Sequence, residues 1–278
     1  MSLPIDDPAD ERVADFVRLN DPEARRRLEG TAGGGYFIAE GPAVVRHLLR
    51  SPYRLRSVLV TDRGLRALGP ELASVGAPVH RVSQAVMDAI CGFHFHRGVL
   101  AAADRRPLPS LSEVAADARS LVLVEGVNDN ENLGSIFRNA AALGVDGVVL
   151  DPTAADPLYR RTVRVSMGHV LRVPFTRVTD WPAALAWLRA IGFELLALTP
   201  AADAQDVRTV EGRHHQALLV GSEGAGLSPT ALAAADRRVR VAMAPGVDSL
   251  NVATAVAIVL HQLAPAESPR RDYPYTPP

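Results

Sequence analysis

Residues 241–263 read VAMAPGVDSLNVATAVAIVLHQL. A polar cluster, Asp248-Ser249-Leu250-Asn251, stands between a Gly/Pro loop and a long apolar run. Asp, Ser and Asn compete with the backbone inside helices and favour helix caps. The run that follows, residues 252–263, carries no Asp, Glu or Arg and reads as a buried helix. The free N–H groups of its first turn therefore stand beside three polar side chains at the edge of an apolar core. That arrangement suits holding a small polar ligand or a reacting group.

Working outward, two more segments share this character. Residues 128–141, NDNENLGSIFRNAA, follow the apolar run LVLV at 121–124. Residues 218–228, LLVGSEGAGLS, begin inside the run ALLV at 217–220. A strand that empties into a Gly- and acid-containing turn is where open α/β sheets place their ligands. From residue 120 onward the pattern alternates. It predicts strands at 121–124, 147–150, 170–175, 194–198, 217–220 and 239–241, and helices at 134–143, 181–191, 229–234 and 251–263. Such alternation predicts an α/β domain with a mostly parallel sheet and helices on both faces.

The front half also alternates. Strands are expected at 36–38, 57–61, 79–82 and 98–103. Helices are expected at 41–50, 65–75 and 83–90, the last capped by Ser83, with a basic helix at 18–28 before the Gly33-Gly34-Gly35 break. DRRPLPS at 104–110 has the charge and proline content of a linker, and a short helix at 111–119 has Ser112 as its candidate cap. The chain thus divides into a small α/β domain at 1–106 with an extension at 1–35, a linker at 107–119, a larger α/β domain at 120–265 and a fraying Pro-rich tail at 266–278.

Composition narrows the function classes. The chain has 278 residues, 47% of them hydrophobic, enough for two packed domains. Its net charge of −1 leaves nucleic-acid contact to local patches. All 30 basic residues are Arg. The lone Cys91 excludes an internal disulfide and a thiolate zinc site. The acidic start lacks the apolar segment of a secretory signal. No run has the roughly 18 apolar residues of a membrane span, so no membrane contact and a cytoplasmic setting are expected.

Individual residues carry competing readings. Arg138 is an exposed helix arginine or, among Ile136, Phe137 and Ala140–Ala142, a guanidinium facing a cleft. With a helix starting near Gly134 it would lie one turn in. A dinucleotide fingerprint beginning at Gly224-x-Gly226 would need Gly or Ala at 229, where the chain has Pro229, and the spacing fails. His94 and His96 alternate with Phe93 and Phe95. They suit base stacking or local packing, and no third ligand makes a metal site. His214 and His215 read as a solvated loop. Arg160, Arg161, Arg164 and Arg172 form a solvated basic face or, beside a strand-end cleft, a phosphate grip.

Together the three segments resemble the SpoU/TrmH-like RNA 2′-O-ribose methyltransferases of the SPOUT superfamily. The Asn-x-Gly-x-x-x-Arg motif is matched by Asn132, Gly134 and Arg138, and Gly-Ser/Ala-Glu-Gly-x-Gly by Gly221 to Gly226. The final Ser-Leu-Asn before an apolar helix is matched by Ser249, Leu250 and Asn251. Each motif is weak alone; three in order, over about residues 120–263, are specific. Phe37-Ile38-Ala39-Glu40-Gly41 is similar to the start of the family's small L30e-like substrate domain. The chain departs from the family in having Val241-Ala242-Met243 where Ile-Pro-Met is common, followed by Pro245.

The resemblance implies a deep trefoil knot in the second domain, a homodimer whose active site is completed across the interface, and transfer of a methyl group from S-adenosylmethionine to a ribose 2′-hydroxyl of tRNA or 23S rRNA. It implies a cofactor pocket lined by Leu198, Thr199, Gly221, Val241, Met243 and Leu250, and no metal. Arg138 would orient the hydroxyl and bind phosphate, Asn132 and Ser249 would position ribose or arginine, Asn251 would anchor its loop, and Glu223 would brace the neighbouring loop. Arg25, Arg26 and Arg27 are a candidate RNA contact. Two other readings share the motifs: an RNA-binding protein that retains the fold without transfer, and an rRNA methyltransferase conferring antibiotic resistance.

Overall fold

The computed structural model describes residues 3–21, 35–212 and 215–263. The chain divides into two compact units: Met1–Pro107 with Leu158–Arg172, and Leu108–Pro157 with Val173–Pro278. The segment Leu158–Arg172, expected within the second domain, belongs to the first unit. Arg25–Arg27, most of the expected helix at 18–28, His214 and the tail at 266–278 lie outside the described residues. Arg18 itself sits in a turn with φ of 49° after a short 3-10 helix, Glu11–Phe16, and starts no helix.

The first unit is built on a five-stranded sheet. Its strands are β1 (Leu3–Pro4), β2 (Tyr36–Glu40), β3 (Leu55–Val60), β4 (Val79–Arg81) and β5 (Val99–Asp104), in the order β1-β4-β3-β5-β2. β1, β4 and β3 run parallel, while β5 lies antiparallel to β3 and β2. Helices α1 (Pro42–Leu49), α2 (Asp62–Ala73) and α3 (Gln84–Cys91) connect them. Ser83 caps α3 through the Val86 N–H, as its sequence position predicts. Phe16, Met87, Ile90 and Phe95 fill one face of the sheet with Ile38 and Leu100. Cys91 is buried there, and burial pushes its thiol up to about 12, so it stays protonated and unreactive.

The second unit carries a seven-stranded sheet, parallel throughout. Its strands are β6 (Ser120–Val124), β7 (Gly147–Leu150), β8 (Phe175–Arg177), β9 (Glu194–Leu198), β10 (Gln205–Asp206), β11 (Gln216–Val220) and β12 (Arg237–Arg240). The order is β10-β12-β9-β11-β6-β7-β8. The strand expected at 170–175 begins only at Phe175; residues His169–Leu171 form a 3-10 turn instead, within the first unit.

The helices of this unit are α4 (Leu111–Ala115), α5 (Asn130–Ala142), α7 (Trp181–Ala190), α8 (Pro229–Ala234) and α9 (Val252–Leu263); α6 (Arg160–Val165) belongs to the first unit. Alternation along each strand explains the layering. Leu121, Leu123, Leu195, Ala197, Ala217 and Leu219 pack with Trp181, Leu185, Leu188 and Ala231 of α7 and α8. The intervening residues belong to the opposite face, where α5 and α9 pack together.

The stretch expected to be a linker is part of this core. Val114, Ala115 and Ala118 are buried in it. The cap of α4 is Ser110, not Ser112: Ser110 Oγ accepts the Glu113 N–H at 3.2 Å, and the Glu113 carboxylate accepts the Ser110 N–H at 2.7 Å. The reciprocal pair satisfies two otherwise orphaned donors.

Candidate active site

Seven parallel strands bring their carboxyl ends to one edge of the sheet, the edge where open α/β sheets bind ligands. Three interleaved neighbours, β12, β9 and β11, deliver their exit loops there side by side. Leu198-Thr199-Pro200 leave β9, Gly221–Gly226 leave β11, and Val241 and Met243 follow β12. With Ser249, Leu250, Asn251, Val252 and Ala255 from the start of α9, they line one cavity of about 390 Å³. That size suits a small-molecule ligand. Val241, Met243 and Leu250 supply apolar wall, and Thr199, Ser222, Glu223, Ser249 and Asn251 supply polar groups.

The loop after β11 is folded tightly back on itself. The Gly226 N–H donates to the Ser222 carbonyl at 3.0 Å. A Cβ on Gly221 would stand 2.2 Å from the Gly226 carbonyl carbon and 2.4 Å from the Leu227 nitrogen. No side chain fits there, because both obstacles are backbone. The far end of the loop is tied down by Glu125, just beyond β6. Its carboxylate accepts the Ser228 N–H at 2.9 Å and the Ser228 hydroxyl at 2.8 Å, while Ser228 caps α8 through the Ala231 N–H. Sequence reading missed Glu125; an acid directly after a strand was the available signal, but its partner is 103 residues away.

Asn251 joins two of the three loops to the helix that carries Arg138. Its Oδ1 accepts the Thr254 N–H at 3.1 Å and so caps α9. Its Nδ2 donates to Asn132 Oδ1 at 2.7 Å and to Glu223 Oε1 at 3.0 Å. The side-chain amide thereby spends both of its N–H donors and its acceptor within the site. Asn132 is buried. A second tie runs from Asn139 Nδ2 to the Ala253 carbonyl at 2.7 Å. Ser249 is exposed on the cavity wall beside Asp248.

Arg138 stands apart from this group. The helix starts at Asn130, not near Gly134, because Asp129 caps it by accepting the Glu131 and Asn132 N–H groups at 2.9 and 2.8 Å. Arg138 is therefore more than two turns in, about 9 Å along the axis from Asn132. It is exposed and does not line the cavity of its own chain. All six expected cofactor residues line the cavity, as do Glu223, Ser249 and Asn251.

The remaining expected residues lie elsewhere. His94 and His96 are neighbours in a loop, ring centroids 4.5 Å apart, with His94 Nδ1 2.6 Å from Asp88 Oδ2. Among the described residues no group of three or more His, Cys, Asp or Glu could hold a metal, and no helix is long and apolar enough to cross a membrane. Arg160, Arg161, Arg164 and Arg172 belong to the first unit and not to the unit that carries the parallel sheet.

The SpoU rRNA Methylase family matches residues 119–261, the span that builds this sheet and cavity. The chain belongs to that family. An uncharacterized tRNA/rRNA methyltransferase of Mycobacterium tuberculosis is 51% identical over 92% of this chain and 89% of its own length. A 23S rRNA guanosine 2′-O-methyltransferase of Bacillus subtilis is 29% identical over 93% of this chain and 98% of its own. A crystal structure of an AdoMet-bound rRNA methyltransferase from Sinorhizobium meliloti superposes with a TM-score of 0.78 at 25% identity, covering 94% of this chain and 97% of that one. Within this SpoU framework, the Val-Ala-Met variant of the third motif still lends Val241 and Met243 to the cavity wall.

Proposed function

We propose that this protein transfers a methyl group from S-adenosylmethionine to a ribose 2′-hydroxyl of tRNA or 23S rRNA in the cytoplasm. The convergence of the β9, β11 and β12 exit loops with the α9 start on one cavity carries the reading. The residues present fit the cofactor. The apolar wall from Leu198, Val241, Met243 and Leu250 accepts a purine, and the polar rim at Thr199, Glu223 and Asn251 accepts ribose hydroxyls and an amino-acid moiety. Bound there, S-adenosylmethionine supplies an electrophilic methyl carbon on a sulfonium.

The chain's own residues orient and screen. In-line displacement needs the hydroxyl held close to the methyl group and aligned with it. Arg138 binds the RNA phosphate and orients the 2′-hydroxyl, whose proton passes to water as the ether forms; a guanidinium stays protonated near neutral pH and serves better as donor than as base. Asn132 and Ser249 position ribose or arginine. Asn251 fixes the α9 start, and Glu223 braces the glycine loop through it. Since Arg138 lies outside its own cavity, a second copy of the chain brings it to the site. The exposed apolar residues Val247, Leu250 and Ile258 support such a homodimer.

The second unit carries the family's trefoil knot in this reading, supported by β11 and β12 entering between strands laid down earlier and by the return of α9 to α5. The first unit, as an L30e-like module at about residues 1–106, takes the RNA. Two measurements test the whole. Calorimetry is expected to find one S-adenosylmethionine per chain, and ribose-methylation mapping is expected to find one nucleotide that loses its mark when the gene is deleted. Absence of both ends the assignment.

Glu125 tests the cofactor loop. Glu125→Ala removes two hydrogen bonds to Ser228 and is expected to destabilise the protein by about 1.5–3 kcal/mol. It raises KM for S-adenosylmethionine on the order of tenfold with a smaller change in kcat, because a loosened loop loses ground-state and transition-state binding alike. Steady-state kinetics at saturating RNA read the split; an unchanged KM rejects the role.

A further inference from the structure

Two arginines of the Arg160–Arg172 cluster converge on one buried carboxylate of the first unit. Glu40, at the end of β2, is a buried carboxylate with 5% side-chain exposure. Three guanidiniums converge on it. Arg97 Nε lies 3.0 Å from Oε1, Arg160 Nη1 3.1 Å from Oε2, and Arg164 Nη1 3.7 Å from Oε1. One guanidinium satisfies a buried carboxylate; three leave an excess of positive charge at one spot. Arg160 and Arg164 are one helical turn apart on α6, where like charges normally repel, and the carboxylate between them removes that penalty.

The three arginines are not equivalent. Arg160 is 13% exposed, sits over the Phe93 ring at 5.3 Å and donates to Asn20 Oδ1. It is an anchor. Arg97 and Arg164 are 51% and 31% exposed. They share one carboxylate oxygen, which holds two solvent-facing guanidiniums at a fixed spacing without burying either. At the other end of the same sheet the charges balance: Arg54 and Arg56 share Asp104, and Arg56 also takes Asp15, so two guanidiniums meet two carboxylates.

We propose that Arg97 and Arg164, arrayed by Glu40, form a clamp for adjacent phosphates of the substrate RNA backbone. The inference rests on the methyltransferase reading for the identity of the polyanion. Pre-ordering matters because a free arginine loses side-chain entropy on gripping a phosphate, whereas these two have already lost it to Glu40. Backbone contacts of this kind set the register of the RNA without reading its sequence.

The test is salt-dependent binding of the full-length protein to an unmodified 23S rRNA transcript and to a bulk tRNA transcript. Arg97→Ala and Arg164→Ala are each expected to weaken binding of the substrate transcript several-fold near 100 mM salt and to reduce the slope of log K against log[salt] by about 0.7–0.9, with the double variant additive. S-adenosylmethionine affinity and Tm stay at wild-type values. Arg54→Ala removes the same charge at the far end of the sheet and is the control, expected to leave the slope unchanged. A double variant with the wild-type slope, or losses matched by Arg54→Ala, overturns the clamp. Losses confined to assembled ribosomal particles and absent on naked transcripts give the face to a ribosomal protein, and also overturn it. Wild-type protein that transfers no methyl group yet shows the slope changes removes the functional reading and leaves the clamp standing.

Discussion

Arg138→Ala is expected to lower the rate of ribose methylation on the order of a thousandfold while cofactor affinity and Tm stay at wild-type values. Stability should not move because the side chain is exposed on α5, and surface substitutions of that kind usually cost less than about 0.5 kcal/mol. Cofactor binding should not move because the cavity wall is built by other residues and the proposed contacts of Arg138 are to the RNA phosphate and hydroxyl. The rate should fall because the hydroxyl and the RNA phosphate lose the group that holds them in line with the methyl carbon, and lost alignment of reacting atoms costs on the order of a hundredfold or more. Arg138→Lys should rescue poorly, since an ammonium lacks the planar fork that can hold a phosphate and a hydroxyl together. Single-turnover methyl transfer with saturating cofactor measures the effect; residual activity near wild type refutes the role.

The same variant tests the second copy. If each site combines one chain's cavity with the other chain's Arg138, an equal mixture of Arg138→Ala and a cofactor-blind variant forms dimers with one intact site. After subunit exchange, activity should return to about a quarter of wild type, the statistical share of intact sites in a random two-fold assembly. A mixture as inactive as its parts would place the arginine's partner cavity in its own chain and contradict the arrangement.

Gly221→Ala is the cofactor-blind variant, and the second large effect. Its added methyl would lie 2.2 Å from the Gly226 carbonyl carbon, 2.3 Å from that carbonyl's oxygen and 2.4 Å from the Leu227 nitrogen. All three belong to backbone, so no rotamer change relieves the contact, and the loop must open. Forcing volume into such a place costs on the order of 1–3 kcal/mol of stability. The opened loop also separates Ser222 and Glu223 from the cavity they line. Affinity for S-adenosylmethionine should fall at least on the order of a hundredfold, or about 2.7 kcal/mol. Gly224→Ala is the milder neighbour. Its φ of +87° strains an L residue, but nothing lies within 4 Å of the added carbon. Its cost should stay near 1 kcal/mol. Calorimetry of the two variants side by side separates crowding from backbone strain, and equal affinities would show that the close approach at Gly221 does not matter.

Several elements are legible in the sequence alone. The runs at 121–124, 147–150 and 194–198 match β6, β7 and β9 closely because an all-parallel strand buried on both faces is apolar from end to end. Pro229 after Ser228 gave the start of α8 by cap chemistry alone. The start of α5 is set by Asp129, a better cap than anything near Gly134. Ser110 rather than Ser112 caps α4 because it has an acid three residues on, Glu113, that returns the bond.

What the sequence determined by itself is local and periodic: the β/α alternation, the three loop motifs, the apolar helix at the end and, through them, the SpoU family. Only the tertiary structure decided which strands are neighbours, since β11 enters between β9 and β6 and β12 between β10 and β9. It also decided that Asn251 meets Asn132 across 119 residues, that Glu125 meets Ser228 across 103, and that Leu158–Arg172 packs with the first unit around Glu40. The physical reason is that propensity and caps act over a few residues, whereas side-chain partners across a parallel sheet depend on the order in which distant strands are laid together, and no short-range pattern encodes that order.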